Sequence, residues 1–356
     1  MDEFFTQYYP DTVANYTDVD PDAVRVWLVA SFHTPLARAI EMCEKCGVPL
    51  ADANHHRFSK LISCHRMLCP KCSQKNSRSH KRKYGRIWNK LMWIAQVANC
   101  VLGYVVFTIP PRLRHFFMSK ENLAELHRRG AKCVEEVMGA DGSCTVVHLF
   151  GDRSDEFHPH VNVVFPQWGN GHVPESKLKE LRQRWREMLQ EWLDVPIDEM
   201  EENAHYNYAR IEGQMIHRVK YVSRSVMNPE RFLRLDDSLK LLIVEGLKGF
   251  RNVRYHGRLS DRNWRKYLQE MGIDVPVNKR GITCPICEEK LRVVKQQKRK
   301  GELILAERVN LDDMDMRCWY EIPNQDGLFA NKRTYKIYCQ KHGIIFLERG
   351  NFNGDG

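Results

Sequence analysis

The sequence of 356 residues has no apolar run that approaches the roughly 20 residues a membrane-spanning helix needs. Its first 24 residues contain acids but no lysine or arginine, so they lack the basic-then-apolar pattern of a secretory signal. We therefore expect a cytoplasmic protein with no membrane partner. The sequence also lacks the GxxxxGK[ST] pattern of a P-loop and shows no internal repeat, which excludes a P-loop ATPase and a repeat architecture.

A different stretch of the chain lacks acidic residues. Between Ser73 and Lys90 the chain carries lysines and arginines without one acid, within a whole-chain net charge of +10. The basic residues of this stretch are Lys75, Arg78, Lys81, Arg82, Lys83, Arg86 and Lys90. A basic helix interrupted by Tyr84 and Trp88 is typical of contact with nucleic-acid phosphates and bases, and the alternative is a solvated helix face.

Cysteine is plentiful, with 12 residues, six of them in CxxC pairs. In a cytoplasmic chain this spacing indicates zinc rather than disulfides, because each CxxC turn presents two thiolates to a tetrahedral ion. The first zinc module is predicted at Cys43, Cys46, Cys69 and Cys72. Cys64 lies between the pairs, and it either replaces one of these ligands or joins His55, His56 or His65 in a second site.

A second set of short motifs lies near the end of the sequence. Cys284, Cys287, Cys339 and His342 flank strand-like segments, which predicts a zinc ribbon with three thiolates and one imidazole. Cys318 is a rival ligand, because a long insert separates the two motifs. The remaining isolated cysteines are expected to be core thiols: Cys100, Cys133 and Cys144.

Two histidines lie two residues apart in the apolar segment 157–165. Side chains alternate across a strand, so His158 and His160 are predicted on one face while Val161 and Val163 face a core. A preceding apolar segment contains His148 and leads into a turn-rich stretch, so a hairpin would place His148 opposite His160. Three converging imidazoles predict a site for a catalytic divalent ion.

These histidines and the downstream segment from Ile216 to Arg224 resemble the HUH endonucleases. Within that superfamily the chain is similar to rolling-circle plasmid replication initiators and to IS91-type single-tyrosine transposases, which also carry a cysteine cluster before the catalytic domain. The resemblance covers roughly residues 43–260 and is most specific at the two histidines and Tyr221. It implies Mg²⁺ or Mn²⁺ as the catalytic ion, and single-stranded or supercoiled DNA at an origin or element end as the partner.

The ligand set departs from the pattern of close relatives at one position. Those relatives often carry a histidine where this chain has Asn162, so His160 with Asn162 is an alternative metal pair. We prefer His158 and His160, because imidazole binds divalent ions more readily than a neutral amide. Glu156 and Glu212 are reserve carboxylate ligands if His148 faces away.

The resemblance places the nucleophile at Tyr221, whose hydroxyl would attack a phosphodiester and form a phosphotyrosine. Lys220 and Arg224 flank it with positive charge that can hold the phosphate or stabilise phenolate. His217 lies one helical turn before Tyr221 and shares its helix face. Relatives carry glutamate or a second tyrosine there, so His217 is a candidate base, a candidate metal ligand or a DNA contact.

The order of predicted elements is strand, helix, hairpin, helix, strand, helix. It predicts an α+β fold, with an antiparallel sheet covered by helices on one face, which is also the architecture that the resemblance implies. The predicted divisions are an N-terminal arm with a zinc module at 1–75, a basic helix at 76–100, a nuclease core at 101–228, a basic helical DNA-contact extension at 229–278 and a zinc-ribbon-like module at 279–356.

These features predict metal-dependent nicking and rejoining of single-stranded DNA through a 5′-phosphotyrosine, which initiates rolling-circle replication of a plasmid or virus. An IS91-like transposase with the same chemistry is the close alternative. A non-catalytic zinc-dependent DNA-binding regulator is the alternative from a different class. Because no P-loop pattern is present, unwinding would require a separate host helicase.

Overall fold

The computed structural model describes residues 23–41, 43, 47–51, 53–54, 57–61, 64, 66, 68–73, 77–151, 156–198, 204–225, 227, 229–273, 284–289, 292–293, 303–304, 319–322 and 328–342. The chain divides into two units. One consists of Met1–Ala37 with His65–Val275, and the other of Arg38–Cys64 with Pro276–Gly356. No described helix combines the length and the apolar character needed to cross a bilayer.

The described part of the chain contains both helices and strands. In chain order, the helices are α1 (Ala23–Ala30), α2 (Thr34–Glu41), α3 (Pro70–Ser73), α4 (Arg78–Leu91), α5 (Lys120–Met138), α6 (Glu175–Leu193), α7 (Glu212–Val222), α8 (Pro229–Arg234), α9 (Asp237–Gly246), α10 (Trp264–Glu270) and α11 (Lys332–Lys341), with 3-10 helices at Met92–Gln96 and Pro111–Met118. The strands are β1 (Gly47–Ala51), β2 (Arg57–Leu61), β3 (Cys100–Thr108), β4 (Gly142–Phe150), β5 (Phe157–Trp168), β6 (Ala204–Ala209), β7 (Val253–Gly257), β8 (Arg292–Val293), β9 (Leu303–Ile304), β10 (Trp319–Glu321) and β11 (Leu328–Asn331).

The first unit is built on a five-stranded sheet in the order β6, β3, β5, β4, β7. Every pairing in this sheet is antiparallel. Both hairpin strands are apolar and deeply buried, β4 along its whole length and β5 over residues 159–166. The predicted α+β class with an antiparallel sheet is therefore confirmed.

Helices pack on both faces of this sheet, so the prediction of one covered face is wrong. On the face of Val161 and Val163, α5 approaches so closely that a Cβ at Gly130 would stand 2.9 Å from Val161 Cγ1. On the opposite face, α4 and α7 pack against Tyr104 and Val164 in one buried cluster. The physical reason is that apolar side chains alternate onto both faces of the central strands, and each face must be removed from water.

The hairpin register agrees with the prediction from the sequence. His148 of β4 lies directly opposite His160 of β5, and the pairing shifts only beyond that point, before Phe150. Val161 and Val163 are completely buried against the helices on the other face. The two-residue period of the strand therefore places the histidines together on the face that α7 covers.

The second unit contains a six-stranded sheet in the order β8, β1, β2, β11, β10, β9. Its pairings are antiparallel except for β9 with β10, which run parallel. The sequence predicts separate modules at 1–75 and 279–356, whereas β1 pairs with β8 and β2 pairs with β11. Strands from both segments thus share one sheet, a long-range pairing that no local sequence pattern indicates.

Candidate active site and cysteine cluster

Helix α7 presents Tyr221 beside the histidine-bearing strands. Met215, Val219 and Val222 of this helix are buried in the core on the sheet face opposite α5. Tyr221 is half-buried in the last turn. Its ring centroid lies 6.0 Å from that of His148, with the two ring planes at 70°. Helix packing therefore brings the predicted nucleophile next to one of the predicted metal ligands.

Arg224 contacts the Tyr221 side chain in two ways. Its Nη2 donates a hydrogen bond to the Tyr221 hydroxyl oxygen at 3.0 Å, and its guanidinium carbon lies 4.1 Å from the ring centroid. A guanidinium that donates to an oxygen stabilises negative charge on it. This arrangement suits an oxygen that must react as a nucleophile.

His148 is occupied by hydrogen bonds rather than placed to bind a metal. Its Nε2 lies 3.1 Å from the Val222 carbonyl oxygen, so this nitrogen carries the hydrogen and donates. Its Nδ1 accepts from the Asn162 amide at 3.2 Å. The prediction of His148 as a third metal ligand is therefore not supported, because both ring nitrogens bond to protein groups. His148 instead ties the sheet to the end of α7.

The environment of His148 disfavours its protonation. Burial lowers the pKa of His148 well below its usual value, and the neighbouring Arg224, His160 and Lys83 lower it further. The hydrogen bond to the Val222 carbonyl oxygen opposes this shift only partly. A neutral ring with one donor and one acceptor nitrogen matches the two bonds it makes.

Asn162 is likewise engaged by its neighbours. Its Oδ1 accepts a hydrogen bond from the Tyr104 hydroxyl at 2.5 Å, and its Nδ2 also lies 3.3 Å from the Val146 carbonyl oxygen. The side chain is buried, and these bonds satisfy its polar atoms. Asn162 therefore orients His148 through its amide nitrogen. Its oxygen accepts from Tyr104 and is not placed to act as the weak metal ligand of the alternative His160–Asn162 pair.

His158 and His160 form the candidate metal pair. Their ring centroids lie 5.4 Å apart with the planes at 52°. Two imidazoles on one ion, with metal–nitrogen bonds of about 2.1 Å, hold their centroids about 5 Å apart. His160 Nδ1 donates to the His158 carbonyl oxygen at 2.8 Å, which fixes the tautomer and leaves Nε2 as the ligating atom.

The charges around His158 favour its neutral, ligating form. Burial lowers the pKa of His158 to about 4, and Arg114 contributes to the lowering. Glu156 opposes it, but this exposed carboxylate also bonds to Arg114 at 3.4 Å. His205 is close enough to lower this pKa further.

His205 is a residue that the sequence patterns did not single out. Strand pairing aligns it with Val106, which in turn aligns with Asn162, so His205 shares the sheet face of His158 and His160. It is exposed on strand β6. The alternating pattern of β6 predicts that His205 lies on one face of a strand. Only the strand order β6, β3, β5 shows that this is the face of His158 and His160.

Four cysteines between residues 43 and 72 form a tight cluster. The sulfur atoms of Cys43, Cys64, Cys69 and Cys72 all lie within 4.8 Å of one another. Among the described residues, this is the only group of three or more cysteine, histidine or acidic side chains close enough to share an ion. Four thiolates at this spacing suit tetrahedral zinc. Cys64 therefore joins the cluster, which is one of the alternatives left open by the sequence, while Cys46 lies outside the described residues.

Zinc content should separate these two assignments. Cys64→Ser and Cys69→Ser should each release the ion, since a serine hydroxyl replaces one of four thiolates, whereas Cys46→Ser should retain about one zinc per chain. Metal analysis of the purified variants measures this, with unfolding temperature recorded in parallel. Zinc loss from Cys46→Ser, with retention in Cys64→Ser, would restore the assignment made from the sequence.

The C-terminal zinc ribbon stays a prediction. Cys284, Cys287, Cys339 and His342 are all described, yet they are absent from the one clustered group found in the described part of the chain. His342 Nε2 lies 3.1 Å from the Pro285 carbonyl oxygen, and its ring packs on Tyr338 with centroids 4.4 Å apart. The rival ligand Cys318 lies outside the described residues.

The basic helix α4 holds the end of α7. His80 Nε2 lies 3.0 Å from the Lys220 carbonyl oxygen and 2.9 Å from Ser223 Oγ. Lys83 Nζ donates to the Arg224 carbonyl oxygen at 2.8 Å. The last carbonyls of a helix lack partners within the helix, and a cation is favourable there. These two side chains therefore cap the turn that carries the tyrosine.

The other flanking residues of α7 point to its outer surface. His217 and Lys220 are both exposed. Lys220 Nζ lies 5.8 Å from the ring centroid of Tyr84 on α4, a distance at which a cation is attracted to the ring face. Lys220 thus connects the tyrosine helix with the basic helix, and His217 remains on the exposed surface one turn before Tyr221.

Comparisons of the chain with protein-family models, with curated proteins and with solved structures gave no match. Function is therefore inferred from the residues of the site. These are the Tyr221–Arg224 pair and the two imidazoles of His158 and His160, with α7 fastened to the sheet through His148.

Proposed function

We propose that this chain is a divalent-metal-dependent DNA endonuclease and strand transferase of the HUH type, with Tyr221 as its nucleophile. One observation carries the proposal. The Tyr221 ring packs edge-on against His148, on the sheet face that also presents His158 and His160, while Arg224 donates to its hydroxyl. A tyrosine with only a packing role does not require a guanidinium on its oxygen beside a paired-imidazole site.

The chemistry is a transesterification that conserves the number of phosphodiester bonds. The Tyr221 oxygen attacks phosphorus, the bond from phosphorus to the 3′ oxygen breaks, and the phenol proton is passed on so that a free 3′-hydroxyl leaves. The protein is then joined to the 5′ phosphate. Attack by a 3′-hydroxyl on this phosphotyrosine reverses the steps and reseals a strand. No external energy source is needed.

Two imidazoles fit a divalent cation at this site. His158 and His160 would hold it, through the ring spacing and the fixed His160 tautomer described above. Bound there, Mg²⁺ or Mn²⁺ supplies Lewis-acid polarisation of the non-bridging phosphate oxygens. His205 lies on the same sheet face and is close enough to lower the pKa of His158, but it does not approach the pair closely enough to share an ion with both rings.

The protein side chains supply the remaining functions. Arg224 stabilises negative charge on the Tyr221 oxygen as it attacks. Lys220 adds positive charge on the exposed side of α7, where the phosphodiester strand would approach. His217, exposed one turn earlier, can accept the phenol proton through water or contact the strand.

The biological process we propose is initiation of rolling-circle replication of a plasmid or virus. Nicking at an origin exposes a 3′-hydroxyl that a polymerase can extend, and strand transfer afterwards closes the displaced circle. The zinc-binding cluster would be structural, and a separate helicase would unwind the duplex.

Covalent trapping tests the proposal directly. The full-length zinc-loaded protein is incubated with random-sequence single-stranded oligonucleotides and Mn²⁺, then separated on a denaturing gel. We expect a protein–DNA adduct that retains label placed at the 3′ end of the oligonucleotide and releases label placed at the 5′ end, and that disappears when EDTA is added. Absence of any adduct, with binding retained, would favour a non-catalytic zinc-dependent DNA-binding regulator.

Removing the Lys83 cap should lower the rate of this reaction more than DNA affinity. Burial lowers the pKa of Lys83 to about 8, and its ammonium still donates to the Arg224 carbonyl oxygen. Lys83→Met keeps the aliphatic stem but removes that bond, which is worth about 1.5–3 kcal/mol when one partner is charged. We expect adduct formation at saturating DNA to slow about tenfold.

The exposed Lys81 provides a matched control on the same helix. Lys81→Met should weaken DNA binding but leave the rate at saturating DNA unchanged. Lys83→Arg should restore most of the rate, since a guanidinium can donate to the same carbonyl. An unchanged rate in Lys83→Met would show that the cap does not position Tyr221.

A further inference from the structure

The exposed face of helix α4 has features that the cleavage site does not use. Of the basic residues in this helix, Lys83 caps α7, and Lys90 is buried and donates to the Leu259 carbonyl oxygen at 2.8 Å. Lys81, Arg82 and Arg86 are exposed instead. These five side chains thus divide into an inward set that fastens the helix and an outward set that faces solvent.

Two aromatic rings border this outward set. Tyr84 and Trp88 are one turn apart and stack with centroids 6.3 Å apart and planes at 10°. Both are half-buried, so each retains surface that solvent can reach. Lys220 of α7 lies over the Tyr84 ring. The aromatic pair on α4 is therefore adjacent to the helix that carries the proposed nucleophile.

Gly85 lies within the same face. Glycine is disfavoured in a helix interior relative to alanine, because it has more conformational freedom to lose. A Cβ built at Gly85 meets no atom within 4 Å, so no packing contact within the described residues requires glycine here. Glycine leaves the helix backbone bare between Tyr84 and Arg86. A bare backbone allows a ligand to approach closely.

We propose that the outward face of α4 binds single-stranded DNA and leads it to Tyr221. Lys81, Arg82 and Arg86 would contact phosphates, and Tyr84 and Trp88 would stack with bases. A strand lying over Gly85 would then continue past Lys220 to the end of α7. Exposed bases are available for stacking only when a strand is unpaired, which favours single-stranded over duplex DNA. This inference rests on the proposed function for its direction toward the tyrosine.

Equilibrium binding tests the surface without cleavage. The full-length protein carrying Tyr221→Phe is titrated against fluorescently labelled oligo-dT, and anisotropy is recorded at several salt concentrations. We expect Lys81→Glu combined with Arg86→Glu to weaken binding at least tenfold, and to reduce the slope of log Kd against log salt by about 0.7 for each phosphate that the protein no longer neutralises. Lys179→Glu, an exposed charge reversal on α6, is the matched control and should change Kd less than twofold.

Gly85→Leu separates binding from folding. Leucine is a strong helix former, so the unfolding temperature should stay the same or rise. Its side chain would nevertheless stand where the strand is proposed to pass, and we expect oligo-dT binding to weaken at least fivefold because the strand can no longer approach the backbone closely. An unchanged Kd in Gly85→Leu and in the double charge reversal would overturn the proposal. Equal weakening on duplex DNA would also overturn it, because the surface would then not be specific for single strands.

Failure of this inference is distinguishable from failure of the proposed function. If wild-type protein forms the covalent adduct but the α4 variants bind and react normally, the strand path is wrong and the enzyme assignment stands. If no adduct forms but the α4 variants lose oligo-dT binding, the surface binds DNA and the enzyme assignment is wrong.

Discussion

Replacing Tyr221 with phenylalanine should abolish the covalent protein–DNA adduct while leaving DNA affinity within about threefold of wild type. The substitution removes only the hydroxyl oxygen, which is the atom that would join phosphorus. The ring keeps its edge-on contact with His148, so the packing of α7 should be preserved. Denaturing gels measure the adduct and anisotropy measures affinity.

Tyr206 and Tyr208 provide matched controls for this prediction. Tyr206 follows His205 along β6, so strand geometry places it on the sheet face away from His158 and His160, and Tyr208 shares its face. Tyr206 donates to the Gly171 carbonyl oxygen at 2.8 Å, and burial raises its pKa. We expect Tyr206→Phe and Tyr208→Phe to form the adduct at nearly normal rates. A fully active Tyr221→Phe protein would instead move the nucleophile to another tyrosine.

Removing either imidazole of the proposed metal pair should have the second largest effect. His158→Ala or His160→Ala deletes one of two nitrogen ligands, and metal polarisation of the phosphate is worth several kcal/mol in the transition state. We therefore expect adduct formation at moderate Mn²⁺ to fall at least a hundredfold. Raising the Mn²⁺ concentration should recover part of the rate, because a weakened site fills only at higher concentration. Titration of the rate against Mn²⁺ measures this shift.

His148 offers an informative contrast within the same cluster. His148→Ala removes the bonds to the Val222 carbonyl oxygen and to Asn162, so it should lower the unfolding temperature and slow the reaction at every Mn²⁺ concentration. Additional Mn²⁺ should give no recovery. Exposed His172 is a further control, and His172→Ala should match wild type. A Mn²⁺ response of His148→Ala equal to that of His160→Ala would return His148 to the ligand set.

Local sequence patterns predict the part of the site that depends on a single hairpin. Alternation along β5 places His158 and His160 on one face, and the antiparallel pairing of β4 with β5 sets His148 opposite His160. The Ser119 cap of α5 is equally accessible to prediction, and its Oγ accepts from the Asn122 amide at 3.1 Å. Each of these features is decided by residues close together in the chain.

Features decided by distant residues cannot be predicted from local sequence patterns. The role of His148 depends on the Val222 carbonyl, 74 positions away along the chain, which occupies the nitrogen that a metal would need. The membership of Cys64 in the cysteine cluster depends on where the chain folds back, because spacing alone points to the CxxC pairs. The inward roles of Lys83 and Lys90 likewise depend on partners in other elements. A run of charge does not show which residues face inward.

The last turn of α7 is held in place by contacts from both the sheet and helix α4. The His148 bond from the sheet and the Lys83 and His80 contacts from α4 restrict this turn before any strand arrives. The entropy of ordering the phenol is then lost when the protein folds, so the proposed reaction would not have to supply it at each turnover. In the proposed reaction, the binding energy of the DNA strand is then available to strain and align the phosphodiester. The same rigidity would keep the 5′ end of the proposed phosphotyrosine in place until a 3′-hydroxyl returns.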